Sequence, residues 1–344
     1  MRVLVTGCAG FIGSTLTEAL LARGDEVVGL DNLVPTYDLA LKRANLTGPL
    51  GSEGFRLVEG DIRDGALVAE TMAQSRPEAI VHLAALAGVR PSLENPGEYT
   101  SVNVGGTVTL LEAARQAGVG QFVFGSSSSV YGATNQVPFS ETQSISHPVS
   151  PYAASKAAGE AYCYTYHHLY GIHATLLRFF TVFGPRQRPD LAINKFVRLM
   201  LAGQPIPMFG DGTSSRDYTY VGDIVRGILA ALDRSLELEI INLGGSSPVT
   251  LRELIATIGE VMGHTPVIEQ CPNQPGDVPR TYADVTKALR VLDWEPQVSL
   301  REGLERFVQW YTRGQAGDAA AETNVCEISS LRCPSPCRHT AAAS

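Results

Sequence analysis

The sequence predicts an α/β fold: a Rossmann-type doubly wound parallel sheet with a smaller α/β unit interleaved through its second half. Three observations carry this prediction. Short apolar runs alternate with helical patterns through the first half of the chain. A glycine-rich turn joins the first run to the first helix. The alternation then breaks at Thr181, and proline- and arginine-bearing loops take over.

Val3-Leu4-Val5 reads as the first strand and Gly7-Cys8-Ala9-Gly10-Phe11-Ile12-Gly13 as the turn. Ser14 to Arg23 carries Leu16, Ala19 and Leu20 at helical spacing and stops at Gly24. Glu26 to Leu30 is the next strand, ending in Asp31, which completes a βαβ unit. Glycines let the backbone approach a pyrophosphate, and the helix N-terminus offers free N–H groups at its positive dipole end. Asp31 stands where a carboxylate accepts a ribose 2′-hydroxyl and repels a 2′-phosphate, which favours NAD over NADP.

Phe55 to Val58 is a third strand, running into Gly60-Asp61-Ile62, and Asp64 to Ala73 is helical. Ala79 to Leu83 is a strand that leads into Ala84 to Arg90, and a helix follows from about Pro96 to Ala117. Gln121 to Phe124 is a strand delivering Ser126 to Ser129 at its carboxyl end, where open α/β sheets bind ligands. A polar loop is an equally good reading of that serine run on composition alone. The helix from Pro151 to about Tyr170 sets Tyr152 and Lys156 a turn apart on one face, and His173 to Phe180 is a further strand. A phenol of ordinary pKa near 10 needs a neighbouring cation and a hydroxyl relay, such as Ser127, to act as a base near neutrality. Alone, the Tyr-x-x-x-Lys spacing is a weak signal.

In the second half, Gly184 to Asp190 is a basic, proline-bounded loop before a helix at Asn194 to Ala202. Val221 to Leu232 is helical, and Glu239 to Leu243 is a strand able to rejoin the main sheet. Thr250 with Glu253, and Ser299 with Glu302, carry the capping-box spacing at the starts of two further helices. Arg186, Arg188 and Arg216 suit a diphosphate or a carboxylate, though exposed solvated arginines read the same way.

Composition narrows the class. The 344 residues are 44% apolar with a net charge of −8, which argues against a nucleic-acid or anionic-membrane surface. No apolar run approaches a bilayer span, and the N-terminus reads as a strand rather than a signal peptide. Six cysteines without paired spacing make no disulfide framework, so a reducing, cytoplasmic location is expected. Residues 315–344 are expected to be a disordered tail, and Cys326, Cys333, Cys337 and His339 lack metal-finger spacing, so no metal is expected.

Gly7-x-x-Gly10-x-x-Gly13, Asp31-Asn32, Gly60-Asp61-Ile62, Ser127 and Tyr152-x-x-x-Lys156, in that order, resemble the extended short-chain dehydrogenase/reductases over about residues 1–314. Within that superfamily the chain is similar to the nucleotide-sugar 4-epimerases. The closest likeness is to the UDP-glucuronate 4-epimerases, through Ala87 to Arg90, Ser126 to Gly132 and Arg178 to Asp190.

The resemblance implies NAD as cofactor, with Gly7, Gly10, Phe11, Ile12, Gly13, Asp31, Asn32, Asp61, Ile62, Leu83, Ala84, Ala85, Asn103, Tyr152 and Lys156 as its contacts. It implies Tyr152, Lys156 and Ser127 as the catalytic set, and Ala87, Val89, Arg90, Ser127, Ser128, Thr181, Arg188, Arg216 and Arg280 around a UDP-sugar. Thr181 and Arg188 match positions that meet a C6 carboxylate, and Arg216 the arginine that grips the diphosphate. Related 4,6-dehydratases carry Asp-Glu after the catalytic Ser/Thr, and UDP-glucuronate decarboxylases usually a glutamate second; Ser128 and Ser129 stand there instead. Phe183 and Cys8 depart from the family pattern without touching the chemistry.

The implied reaction is C4 epimerisation of UDP-glucuronate to UDP-galacturonate through a 4-keto intermediate, in a homodimer. UDP-glucose or UDP-N-acetylglucosamine epimerisation is the alternative; a decarboxylase and a non-catalytic NAD-binding scaffold rank below both. The expected organisation is an NAD-binding domain of residues 1–180 and 219–243, with residues 181–218 and 244–314 binding the nucleotide sugar.

Overall fold

The computed structural model describes residues 1–133, 136–272 and 278–318. Seven parallel strands form the main sheet: β1 (Arg2–Thr6), β2 (Glu26–Asp31), β3 (Phe55–Glu59), β4 (Ala79–His82), β5 (Gln121–Ser127), β6 (His173–Phe179) and, from later in the chain, Leu238–Leu243. Between them lie the short strands β7 (Thr181–Phe183), β8 (Ile206–Phe209) and β9 (Ser215–Tyr220). The returning strand is therefore β10, followed by β11 (Pro248–Thr250) and β12 (Ile268–Cys271).

The main sheet runs β10-β6-β5-β4-β1-β2-β3, so the order reverses between β1 and β4. Such a switch point opens a crevice at the carboxyl ends of the strands. β11-β9-β7 and β12-β8 make two small sheets beyond it. The expected seventh strand thus rejoins the sheet, each residue from Leu238 to Leu243 pairing with β6. Of the expected tail, residues 315–318 instead end the helix Leu300–Asp318, and the remainder, with Cys326, Cys333 and Cys337, lies outside the described residues.

Strand alternation sorts the core onto two faces. Val3, Val5, Val81, Val123, Leu177 and Ile241 pack on one side against Leu16, Leu20, Ile224, Ile228 and Trp294. Leu4, Ile80, Phe122, Phe124 and Leu176 pack on the other against Leu110, Leu111 and Met72. A third core unites Phe183, Phe196, Met200, Ile206, Leu254, Ile258 and Phe307, and Phe11 from the glycine turn is part of it. The first turn of the chain is therefore wedged between the two halves of the fold.

Several boundaries differ from the sequence reading. The first helix starts at Phe11, since Gly10 is its N-cap. The single helix expected from Pro96 to Ala117 is instead Pro96–Tyr99, a π-helical stretch Thr100–Gly105 and Gly106–Ala117. The π stretch turns Asn103 inward, and such stretches often mark functional sites. The helix Leu39–Leu50 was not expected at all. The Thr250–Glu253 capping box forms as its spacing predicts.

Three buried carboxylates hold the parts in register. Asp217 accepts the backbone N–H groups of Gly245 (2.6 Å), Ser246 (3.1 Å) and Ala283 (2.8 Å), joining β9 to two later segments. Asp223 accepts Gln297 and Val298 N–H groups, both at 3.0 Å. Glu160, in the helix Pro151–Tyr170, receives Arg178 of β6 through Nε (2.9 Å) and Nη2 (2.7 Å), and Ser126 Oγ of β5 (2.5 Å). Arg178 and Glu160 are 2% and 3% exposed, so removing one partner strands a charge without water. Glu160→Ala is expected to cost about 3–5 kcal/mol of unfolding free energy; urea denaturation followed by circular dichroism measures it, and a loss near zero would show the pair to be idle.

Candidate active site

A cavity of about 1580 Å³ opens along the switch point and extends to the small sheets. It exceeds the roughly 300–1,000 Å³ of a pocket for one small ligand, and so has room for two. One end is built on the glycine turn. Gly7 has φ +73°, which favours glycine, and a Cβ on Gly13 would lie 2.0 Å from the Gly7 carbonyl oxygen. Bare backbone and the N-terminus of the first helix therefore face the cavity, a surface that fits a pyrophosphate.

Asp31, at the end of β2, accepts the Ala9 N–H (3.0 Å) and the Leu33 N–H (2.9 Å), which fix its carboxylate at the cavity wall. Lys42 lies buried 3.9 Å from it. Burial pushes the Lys42 ammonium below its usual range, while Asp31 pulls it back. Asp61 lines the same end, held by Arg63 and by Asn32 Nδ2 (3.2 Å); the Arg63 hydrogen bond keeps its carboxyl down at about 2.

The middle of the cavity holds Ser127, Tyr152 and Lys156. β5 ends on Ser127, and Ser150 caps the following helix by accepting the Ala153 N–H at 3.1 Å, with Pro151 in the first turn. Tyr152 and Lys156 follow one turn apart on that helix. Ser127 Oγ donates to Ser129 Oγ at 3.1 Å; burial raises the Tyr152 phenol, while the neighbouring Ser127 hydroxyl and the Arg188 charge lower it. Lys156 donates to the Gly125 carbonyl at 2.7 Å, and burial brings its ammonium down to about 8. In this geometry the cation acting on Tyr152 is Arg188, and Lys156 is turned to the β5 backbone.

The far end is basic. Arg90 lies over the Phe209 ring (5.0 Å), Arg216 donates to the Ser215 carbonyl (3.0 Å), and Lys195 shares the wall with them. Burial, Arg198 and Arg90 all push the Lys195 ammonium down, the mark of a site short of negative charge. Thr181, Ala87 and Arg188 also line the wall.

Most of the sequence-selected residues thus meet in one cavity; five do not. Asn103 is buried behind the wall, bonding the Leu86 N–H (2.8 Å), the Leu86 carbonyl (3.0 Å) and Ser155 Oγ (2.9 Å). It shapes the cradle from outside, because the π stretch aims it there. Val89 and Ser128, the first residues of the short helical segments Val89–Glu94 and Ser128–Tyr131, do not line the wall. Arg280 is exposed beside a separate cavity of about 420 Å³, over the Tyr282 ring. Arg186 pairs with Glu18 of the first helix at 2.7 Å and so ties its loop to that helix.

Sequence reading missed Lys42, Lys195, Tyr99 and Asp190 in the wall, and the buried His82 behind it. His82 bridges Thr6 Oγ1 (2.7 Å) and Thr107 Oγ1 (3.0 Å), and burial holds its ring neutral, near 3. Among the described residues no group of three or more His, Cys, Asp or Glu is placed to hold a metal ion, and no helix is long and apolar enough to cross a membrane.

Comparison with known proteins agrees with this architecture. Residues 3–244 match the model of the NAD dependent epimerase/dehydratase family. The chain is 44% identical over 308 residues to a UDP-glucuronate 4-epimerase of Thermodesulfobacterium geofontis, covering 89% of this chain and 95% of that one. It superposes on the Bacillus cereus UDP-glucuronic acid 4-epimerase in complex with UDP-glucuronic acid and NAD with a TM-score of 0.86 at 36% identity, covering 91% and 99% of the two chains. The Thermotoga maritima UDP-glucose 4-epimerase with UDP-glucose gives the same TM-score at 35% identity, covering 92% and 100%. The family match over residues 3–244 and these relatives establish that the chain belongs to the NAD dependent epimerase/dehydratase family.

Proposed function

We propose that the chain catalyses NAD-dependent C4 epimerisation of a UDP-sugar, with interconversion of UDP-glucuronate and UDP-galacturonate as its preferred reaction. The observation that carries this reading is the placement of Ser127, Tyr152 and Lys156 in one cavity with a dinucleotide cradle and a basic wall. NAD, when bound, supplies the acceptor for the C4 hydride and returns it to the opposite face. Gly7, Gly10, Phe11, Ile12 and Gly13 hold its pyrophosphate, Asp31 and Asn32 the adenosine ribose, and Asp61 and Ile62 the adenine. Leu83, Ala84 and Ala85 form the wall beside it.

Tyr152 takes the proton of the sugar 4-hydroxyl and later gives it back. Ser127 bonds the same oxygen and relays charge, and Lys156, one turn along the helix, orients the nicotinamide ribose. Arg90, Lys195 and Arg216 hold the diphosphate, and Thr181 and Arg188 the C6 carboxylate. The positions after Ser127 carry hydroxyls, which supply no acid or base for dehydration, and this supports epimerisation. Residues 1–180 and 219–243 act as the cofactor domain, and residues 181–218 and 244–314 as the sugar-nucleotide domain. Tyr162, Tyr164, Leu169 and Tyr170, exposed on the helix Pro151–Tyr170, support a homodimer. NAD and UDP-sugars are intracellular metabolites, which supports a cytoplasmic location.

Tyr152→Phe is expected to lower turnover of UDP-glucuronate by about 10²–10⁴-fold, read by proton NMR of the sugar, while NAD stays bound. Full activity would remove the tyrosine from the mechanism. Arg188→Ala is expected to raise the KM for UDP-glucuronate by roughly ten- to a hundredfold, the scale of a lost charge-assisted bond, with a smaller effect on UDP-glucose. Equal losses on both sugars would argue against a carboxylate contact.

A further inference from the structure

We infer that Asp190 is a specificity-positioning residue: it holds Arg188 side-on, so that one chosen edge of the guanidinium meets the substrate's C6 carboxylate. The inference rests on the proposed role of Arg188. A guanidinium has two bidentate edges, Nε with Nη2 and Nη1 with Nη2. Asp190 takes the first, accepting from Nε at 3.0 Å and from Nη2 at 2.7 Å. The second edge faces the Ala87 carbonyl, and both of its contacts are long, at 3.4 Å. That carbonyl already accepts the Tyr99 hydroxyl at 3.2 Å. The Nη1/Nη2 edge is thus oriented but weakly engaged, and a carboxylate takes it without displacing Asp190.

Position agrees with this assignment. Tyr99 packs edge-to-face on Tyr152, ring centroids 6.2 Å apart, so the open edge lies beside the tyrosine that handles the 4-hydroxyl. Arg188 and Asp190 both line the cavity, so the pair stands where a bound sugar nucleotide would meet it. A charge at Asp190 serving only to offset Arg188 makes the opposite prediction, since its loss would then tighten uronate binding.

The test is a double-mutant cycle with UDP-glucuronate on the intact protein: Arg188→Ala, Asp190→Ala and the pair together. Asp190→Ala is expected to raise the uronate KM about tenfold with kcat little changed, and to add nothing in the Arg188→Ala background. Asp190→Asn, which keeps one acceptor and the shape, is expected to fall between the two. A lower KM in Asp190→Ala, or additive effects in the double variant, overturns the positioning role while leaving the epimerase reading standing. Absence of uronate turnover in the unmodified protein overturns the substrate reading and this inference with it.

Discussion

Glu160 is the constraint on which the arrangement of the site depends. Its carboxylate gathers a strand end, a helix and a neighbouring strand: Ser126 from β5, its own helix, and Arg178 from β6. Ser127 follows Ser126 directly, and Lys156 lies one turn before Glu160 on the helix that also carries Tyr152. A shift of that helix against the sheet would therefore break the Ser126 bond to β5 and a buried, doubly bonded ion pair to β6. Such pairs contribute little net stability compared with an apolar core, and their value lies in fixing one geometry. The network continues through Arg178, whose guanidinium lies 4.8 Å over the Tyr131 ring, and Tyr131 donates to Asn242 of β10 at 2.6 Å.

Around that anchor the fold solves a placement problem. The switch point between β1 and β4 opens the sheet where backbone N–H groups of the first helix are free, and β5 ends one strand further along. The chain then leaves β6 for β7, crosses the cavity with Gln187, Arg188 and Asp190, and returns to the sheet as β10. Interleaving makes the cofactor end and the basic end two walls of one cavity. Phe11, on the glycine turn but packed in the third core, couples the two walls mechanically.

What the sequence disclosed was mostly local. The first βαβ unit is legible because the Gly7 and Gly13 constraints act within a few residues, and because strand and helix periods are strong there. The Thr250–Glu253 cap is legible for the same reason. The helix Leu39–Leu50 escaped notice because it contains Pro49 and has no clear apolar stripe, and Lys42 escaped with it. Asn103 and Arg280 were misplaced by distance in the chain: where each side chain points is set by the π stretch and by the pairing of Arg280 with Ser215, and no local pattern signals either. The Asp190 grip on Arg188 lies within three residues, yet Arg-Pro-Asp reads equally as a solvated turn until its surroundings are known.

In the proposed reaction hydrogen leaves C4 and returns to C4 inside one cavity. UDP-glucuronate labelled with deuterium at C4, incubated with the protein in ordinary water and read by NMR, tests it most directly. The expected product is UDP-galacturonate that keeps deuterium at C4. A product carrying solvent hydrogen at C4, or a pentose formed by loss of the carboxylate, would contradict it.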